Sequence, residues 1–466
     1  MTASPTITTV DPATGLDLAT YDVHDEAAVD AALAAAHAAY VHWSQRPVAE
    51  RCDLLRAVGK LLVERREDYA ALITAEMGKP LAEALAEVDK CAWNCEVVAD
   101  SAPSWLADQE VASSASRSWV SYEPLGVVLA VMPWNYPFWQ VLRFACAALV
   151  AGDAGVLKHS PNVTGCALAI EQLLADAGAP AGLFTTLVLA DSQLAEMTPR
   201  IVGDPRVAAV TLTGSERAGE AIGAAAGRAL KKSVLELGGS DPFVVLDDAD
   251  LVAAAKVAVR SRFGNGGQSC IAAKRFIVAE SVADEFVRLF IEEVGALVVG
   301  DPTDPLTTVG PMARDDLREA LARQVSESVA QGAELVCGGS PIDAPGSFFE
   351  PTVLDHVVPG MTAFGEETFG PVAAIVRASD DDHAVDLAND TDYGLGASVW
   401  SRSDRGLAVG RRIRSGALFV NAMVASDPRL PFGGTGRSGF GRELSAEGTR
   451  EFTNVRTMYV NGRSVG

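Results

Sequence analysis

Residues Gly126–Ser160 read "GVVLAVMPWNYPFWQVLRFACAALVAGDAGVLKHS". The opening "GVVLAVMP" is a short apolar run closed by proline, which predicts a buried strand. "FWQVLRFACAALVAG" is long enough for a helix that ends at glycine, and "AGVLKHS" is a second strand. Working outward, the same alternation continues. The helix "NVTGCALAIEQLLADAG" is followed by "LFTTLVL" and a short helix, then by "VAAVTLTG" and the helix "ERAGEAIGAAAGRAL". Strands alternating with helices predict a parallel sheet covered on both faces. Ligands of such sheets bind beyond the carboxyl ends of the strands.

A second alternating block starts near "SVLELGGSDPFVVLDDAD". It runs through the helix "DLVAAAKVAVRSRFG", the strand "RFIVAE" and two long helices between Val282 and Ala330, and ends near "ALFVNAMV". Ahead of the first block, Asp25 to about Trp105 carries apolar residues at three- and four-residue spacing and is read as helical. "SRSWVSYEPLG" is an extended segment, and "TREFTNVRTMYVNG" an edge strand. A bare edge needs a cover, so oligomer contacts are expected from it, together with the segment near Trp119.

The chain has 466 residues, too many for one ordinary core, and 48% of them are hydrophobic. Its 38 basic and 61 acidic side chains give a net charge of -23. With no basic block to displace counterions from phosphate, a nucleic-acid partner is not expected. No apolar run is long enough for a membrane span, and the N-terminus lacks the basic start and apolar core of a secretory signal. Seven cysteines (52, 91, 95, 146, 166, 270 and 337) show no disulfide or zinc spacing, so no metal is expected and a reducing cytoplasm fits.

Four stretches carry chemistry. "MPWNYPFWQ" holds Asn135 between aromatic and proline residues, either as a rigid carboxamide or as a turn residue. "TLTGSERAG" places Gly214 and Gly219 between a strand and a helix, where backbone N–H groups approach a diphosphate or simply make the turn. "VLELGGSDPF" sets Glu236 among leucines, which raises a carboxyl pKa as a general base requires, unless the acid is ion-paired. "RFGNGGQSCIAAKRF" puts Cys270 after two close glycines, a nucleophile or a small turn residue. The position two beyond it is Ala272, so a neighbouring-cysteine switch is not available.

Taken together with "EETFGPV" and "PFGGTGRSG", these stretches give a chain that resembles the aldehyde dehydrogenase superfamily from about Asp11 to Asn461. The resemblance implies an α/β fold with two Rossmann-like parallel-sheet domains and a small β oligomerisation element. The expected divisions are a cofactor domain at 1–107 and 125–236, a catalytic domain at 237–440, and the oligomerisation element at 108–124 and 441–466. It implies that Cys270 attacks the aldehyde, Asn135 and the Cys270 N–H hold the oxyanion, and Glu236 activates water against a thioester. Lys158, with Ser160 and Pro161, faces the adenosine ribose of NAD or NADP. Gly214, Ser215 and Gly219 approach the diphosphate beside Trp134, and Leu237, Glu367 and Phe369 line the rest of the cofactor site. A homodimer or homotetramer is implied.

Two departures stand out. Many NAD enzymes of the family carry glutamate where this chain has Pro161, so cofactor choice is open between NAD and NADP. "LFTTLVLADSQ" replaces a Gly-rich segment, so the loop there is expected to differ. Trp139 and Arg143 lie four apart on one helix face, and Ser426 sits before the glycine-rich turn. This set is similar to that of bacterial succinate semialdehyde dehydrogenases, where an arginine and a serine hold the distal carboxylate; Arg143 paired with an acid is the plainer alternative. A broader semialdehyde or aliphatic aldehyde oxidase is the second expectation, and a non-catalytic descendant the third.

Overall fold

The computed structural model describes residues 5–462. The extreme ends of the expected divisions, at 1–4 and 463–466, lie outside them. The strand Val127–Met132 is buried at five of its six positions, as a run without polar alternation requires. It pairs in parallel with Ala154–His159 on one side and Val207–Thr213 on the other. Phe184–Thr186 and Lys232–Glu236 extend this sheet in parallel, and the two-residue strand Gly439–Phe440 closes it antiparallel to Lys232–Glu236. The helix Trp139–Ala151 between the first two strands is buried at every position and ends on Gly152, whose φ of 106° makes the left-handed stop.

A second sheet has seven strands in the order Glu334–Cys337, Thr352–Asp355, Val372–Ala378, Arg275–Ala279, Pro242–Val245, Gly396–Trp400, Ala417–Val420. All its pairs are parallel except the first. Both sheets therefore present the carboxyl ends of strands, and Glu236 is the last residue of one such strand. Thr453–Val460, Arg117–Pro124 and Gln109–Glu110 form a separate antiparallel sheet. Thr453–Val460 is at its edge, with Val455 and Tyr459 exposed.

The chain departs from the expected divisions in two places. Gly439–Phe440 belongs to the first sheet, and Leu444 and Phe452 are buried in the first core, against the helices that surround Val127–Met132. Residues 441–452 therefore return to the first sheet and its core before the edge strand begins. The N-terminal hairpin of Thr6–Val10 and Asp17–Asp22 is a small sheet of its own that packs against Val188 and Leu168, within the expected first division.

The helix Leu251–Phe263 aims its last turn into the interior, where Arg262 is fully buried. Its guanidinium donates to the carbonyls of Gly267 (2.6 Å), Gly370 (2.8 Å), Ala273 (3.1 Å) and Thr368 (3.4 Å). One side chain thus ties the glycine loop to the segment 368–370. Burial alone pulls its pKa down to about 9, because no carboxylate contacts it directly and carbonyl dipoles take the place of a counter-ion. Arg262→Met keeps the volume and removes every donor, leaving several buried carbonyls unpaired. Urea unfolding should show a loss of roughly 3–5 kcal/mol; a loss below about 1 kcal/mol would mean the loop holds its shape without the clamp.

Candidate active site

Cys270 follows a chain reversal that the residues before it impose. Asn265, Gly266 and Gly267 have φ of 54°, 60° and 73°, a left-handed run tolerated by Asn and Gly. A Cβ on Gly267 would collide with the Gly370 carbonyl and with Arg262. Gly267 is therefore required by the Arg262 clamp, and neither Gly266 nor Gly267 lines the cavity that runs past Trp134 and Lys158. The loop is also held from the opposite side. Asn265 donates through Nδ2 to the Asn135 carbonyl (2.9 Å), and its own N–H is accepted by Glu83 (2.7 Å).

Asn135 and Cys270 come from different halves of the chain and meet through this network. The Asn135 Nδ2 donates to the Gln268 carbonyl (3.1 Å), and its Oδ1 has no partner among the described residues. The turn after it is fixed by Glu87, which accepts the N–H groups of Phe138 and Trp139 at 2.9 Å each at the start of the next helix. Glu87 is itself ion-paired with the buried Lys79. Glu83 and Glu87 stand four apart on the long helix Leu81–Trp105, so one helix face supports both the asparagine turn and the cysteine loop.

Burial dominates the electrostatics. It pushes the Cys270 thiol up to about 12, against the pull of Arg143 and Lys274. Lys274 donates to the Cys270 carbonyl (2.9 Å) and lies 3.3 Å from Glu367. Glu236 is buried, and neither of its oxygens has a hydrogen-bond partner among the described residues. Burial and then the neighbouring Glu443 carboxylate raise its pKa well above the usual range, with Arg143 and Arg442 opposing. A carboxyl in this state is a stronger base than a surface glutamate.

Two clefts meet at Cys270. The larger, about 1090 Å³, lies at the carboxyl ends of the first sheet. Trp134, Lys158, Ser160, Pro161, Gly214, Ser215, Leu237, Glu367 and Phe369 all line it, so the structure gathers nearly the whole expected cofactor set. Phe369 meets Trp134 edge-on at 5.8 Å, and Glu367 accepts the Gly239 N–H at 3.0 Å. Ser215 caps the helix Glu216–Arg228, whose N-terminus faces the cleft. Gly219 is the exception. It does not line the cleft, and a Cβ there would lie 2.5 Å from Leu237, so this glycine lets the helix pack on the strand end. The unusual segment after Thr186 leads into the helix Asp191–Gly203, and Asp191, not anticipated, lines the cleft and acts electrostatically on Lys158.

The smaller cleft, about 310 Å³, is lined by Cys270, Trp139, Arg143, Ser426, Phe432 and Lys90 among others. Trp139, Arg143 and Ser426 are thus together, but Arg143 is not a free fork. Its guanidinium is ion-paired with the buried Glu443 and stacks 4.8 Å from the Phe432 ring. The partner acid anticipated for the plainer alternative is present, though inside the protein and not on its surface. Lys90, Asn162 and Glu443 are site residues that the sequence did not single out. Lys90 follows Glu83 and Glu87 at seven and three residues, a polar stripe on a largely apolar helix that is the one available signal. Glu443 has no local signal. Among the described residues no group of three possible metal ligands occurs.

Residues 1–458 match the model of the Aldehyde dehydrogenase family. The chain is 48% identical over 455 residues to a probable NADP+ succinate-semialdehyde dehydrogenase of Synechocystis sp., covering 97% of this chain and 99% of that one. It is 47% identical over 461 residues to an NADP+ succinate-semialdehyde dehydrogenase of Mycobacterium tuberculosis, with the same coverage. The crystal structure of the Streptococcus pyogenes succinic semialdehyde dehydrogenase in complex with NADP+ superimposes with a TM-score of 0.95 at 37% identity, over 98% of this chain and 100% of that one. With a cysteine at the junction of two clefts, a buried unpaired glutamate, and likeness along nearly the full length, the chain belongs to the aldehyde dehydrogenase family.

Proposed function

We propose that this chain oxidises succinic semialdehyde to succinate with NAD(P)+, using Cys270 as nucleophile, Asn135 as oxyanion donor and Glu236 as general base. The observation that carries this is the position of Cys270, which lines both clefts and so touches whatever occupies either. The near-full-length relatives named for this substrate support the choice of aldehyde.

The resting thiol is neutral, because its pKa is pushed up to about 12. Attack on the aldehyde carbon therefore sheds the S–H proton, to water in the clefts that Cys270 lines, and Glu236, with unpaired oxygens and a raised pKa, assists this step without being indispensable to it. The carbonyl oxygen becomes an oxyanion as the C–S bond forms. Asn135 uses one amide N–H on Gln268 and has a second to donate; with the Cys270 N–H this makes a two-donor pocket, each donor worth roughly 3 kcal/mol. NAD(P)+, when bound, supplies the hydride acceptor. Any proton Glu236 has taken from the thiol passes to solvent; as a carboxylate it then takes a proton from water, whose oxygen attacks the Cys270 thioester, and the thiolate leaves as succinate forms. Glu236→Gln removes the base while keeping the shape. Stopped-flow absorbance should still show a burst of reduced cofactor, with steady-state kcat lowered about 100-fold or more; turnover within a few-fold of the parent enzyme would sink the role.

The cofactor cleft fits a dinucleotide carrying a 2′-phosphate. Lys158 and Ser160 sit together there with proline and not a carboxylate at position 161, and the buried Nδ2 of Asn162 has no partner among the described residues. Ser160 donates to the Asn162 Oδ1 (2.7 Å), which aims that amide and leaves its N–H groups for an anion. The NADP+ dependence of the relatives agrees with this arrangement. Pro161→Glu would set a negative charge beside that phosphate. Steady-state kinetics should then show KM for NADP+ rising about tenfold relative to that for NAD+; an unchanged ratio would mean the phosphate is seated elsewhere.

The exposed edge strand Thr453–Val460 supports assembly into a homodimer or homotetramer through that sheet. All seven cysteines are free, which fits work in a reducing cytoplasm, and no helix among the described residues is long and apolar enough to cross a membrane.

A further inference from the structure

The substrate cleft contains a cation that none of these roles uses. Lys90 projects from the long helix Leu81–Trp105 into the cleft that ends at Cys270. Its Nζ donates to the Ser426 Oγ at 2.7 Å and stands 4.4 Å above the Trp139 ring. Among the described residues it has no carboxylate in ion-pair contact, whereas Arg143 is already matched to Glu443. Of the three cations that line the smaller cleft, Arg143 is ion-paired and Arg260 is exposed to solvent, which leaves Lys90 as the sheltered cation without a carboxylate in ion-pair contact among the described residues.

We propose that Lys90, acting with Ser426, seats the distal carboxylate of the substrate and is the residue that makes the enzyme prefer an acidic aldehyde to a neutral one. The inference rests on the semialdehyde oxidation proposed above. An ammonium has three donors, and Ser426 uses one. Because Ser426 accepts from Lys90, its own O–H is left to donate. Two adjacent donors then face the cleft and match the two oxygens of a carboxylate, with the Trp139 face flanking them. Arg143, held by Glu443 and Phe432, adds to the local field without offering its full fork.

The surroundings make this charge conditional. Burial, followed by Arg143, pulls the Lys90 pKa down to about 8, with Glu87 and Cys91 on its own helix and Asp427 on the facing loop opposing. Asp427 is in turn held by Arg429, and Glu83 and Arg260 line the same cleft. Lys90 is charged below about pH 8 and loses its proton above it, so the hold on a carboxylate weakens as pH rises. Titration of Cys270 or Glu236 acts on every aldehyde alike and cancels in a ratio of substrates.

The test is kcat/KM for succinic semialdehyde and for butanal, its analogue with methyl in place of the carboxylate, across pH 6.5–9.5, a range chosen to bracket the Lys90 value of about 8. In the parent enzyme the ratio should fall above pH 8. Lys90→Met should lower the ratio about tenfold or more at pH 7 and flatten its pH dependence. Lys90→Arg, which stays charged, should keep discrimination while abolishing the decline. If Lys90→Met retains both the ratio and its decline, Lys90 does not hold the carboxylate. If Lys90→Met fails to fold, a parent-like decline in Lys90→Arg overturns the proposal equally. A parent enzyme with no preference for succinic semialdehyde at pH 7 refutes the substrate proposal itself, before any variant is compared.

Discussion

The Arg262 guanidinium is the constraint on which the site depends. A nucleophilic cysteine must be reachable from two sides, which forbids packing it inside a helix or strand. It must also be held to within a fraction of an ångström, which an unsupported glycine loop cannot do. Arg262 reconciles the two demands by gathering carbonyls from 267, 273, 368 and 370 around one rigid planar group. The left-handed turn at 265–267, the glycine at 267 and the nearness of Glu367 and Phe369 to Cys270 all follow from that gathering. On the other side Glu83 and Glu87 do the same for backbone N–H groups, so the loop is fixed by acceptors on one face and donors on the other.

Charge is used sparingly in this interior, and each buried charge has a consequence. Glu236 has no hydrogen-bond partner among the described residues, so its carboxylate is poorly stabilised and is a correspondingly strong base when a proton must move. Arg143 and Glu443 pair, which lets a second carboxylate lie near Glu236 without a free cation collapsing onto it. Lys90 has no acidic partner in contact among the described residues, and the cleft it enters is where an anionic substrate group can supply the missing charge. Complementarity of this kind stabilises the bound substrate because the empty site leaves a desolvated cation.

Much of the site was legible because it is local. Asn135 lies in the turn just past a strand, Glu236 ends a strand and Cys270 ends a glycine loop, and the residues that announce them are their immediate neighbours. The alternation around Gly126–Ser160 led directly to the first sheet. What failed was whatever joins distant segments. Gly219 was read as a phosphate-side glycine, but a turn of that kind looks the same whether phosphate or Leu237 lies across it. Arg143 could not be assigned as free or paired from its neighbours because its partner lies three hundred positions away, and Lys90 was passed over because Ser426 is 336 residues distant. The strand Gly439–Phe440 is too short to carry any periodicity, so the return of 441–452 to the first core left no trace in the sequence.

The central claim is that the acyl group passes through Cys270 and no other residue. The most direct measurement is intact-mass and peptide mapping of the Glu236→Gln protein quenched within seconds of mixing with succinic semialdehyde and NADP+. A succinyl adduct confined to the peptide containing Cys270, and lost on treatment with hydroxylamine, is the expected result. An unmodified Cys270 peptide in protein that has reduced one equivalent of cofactor, or an adduct on any of the other six cysteines, would contradict it.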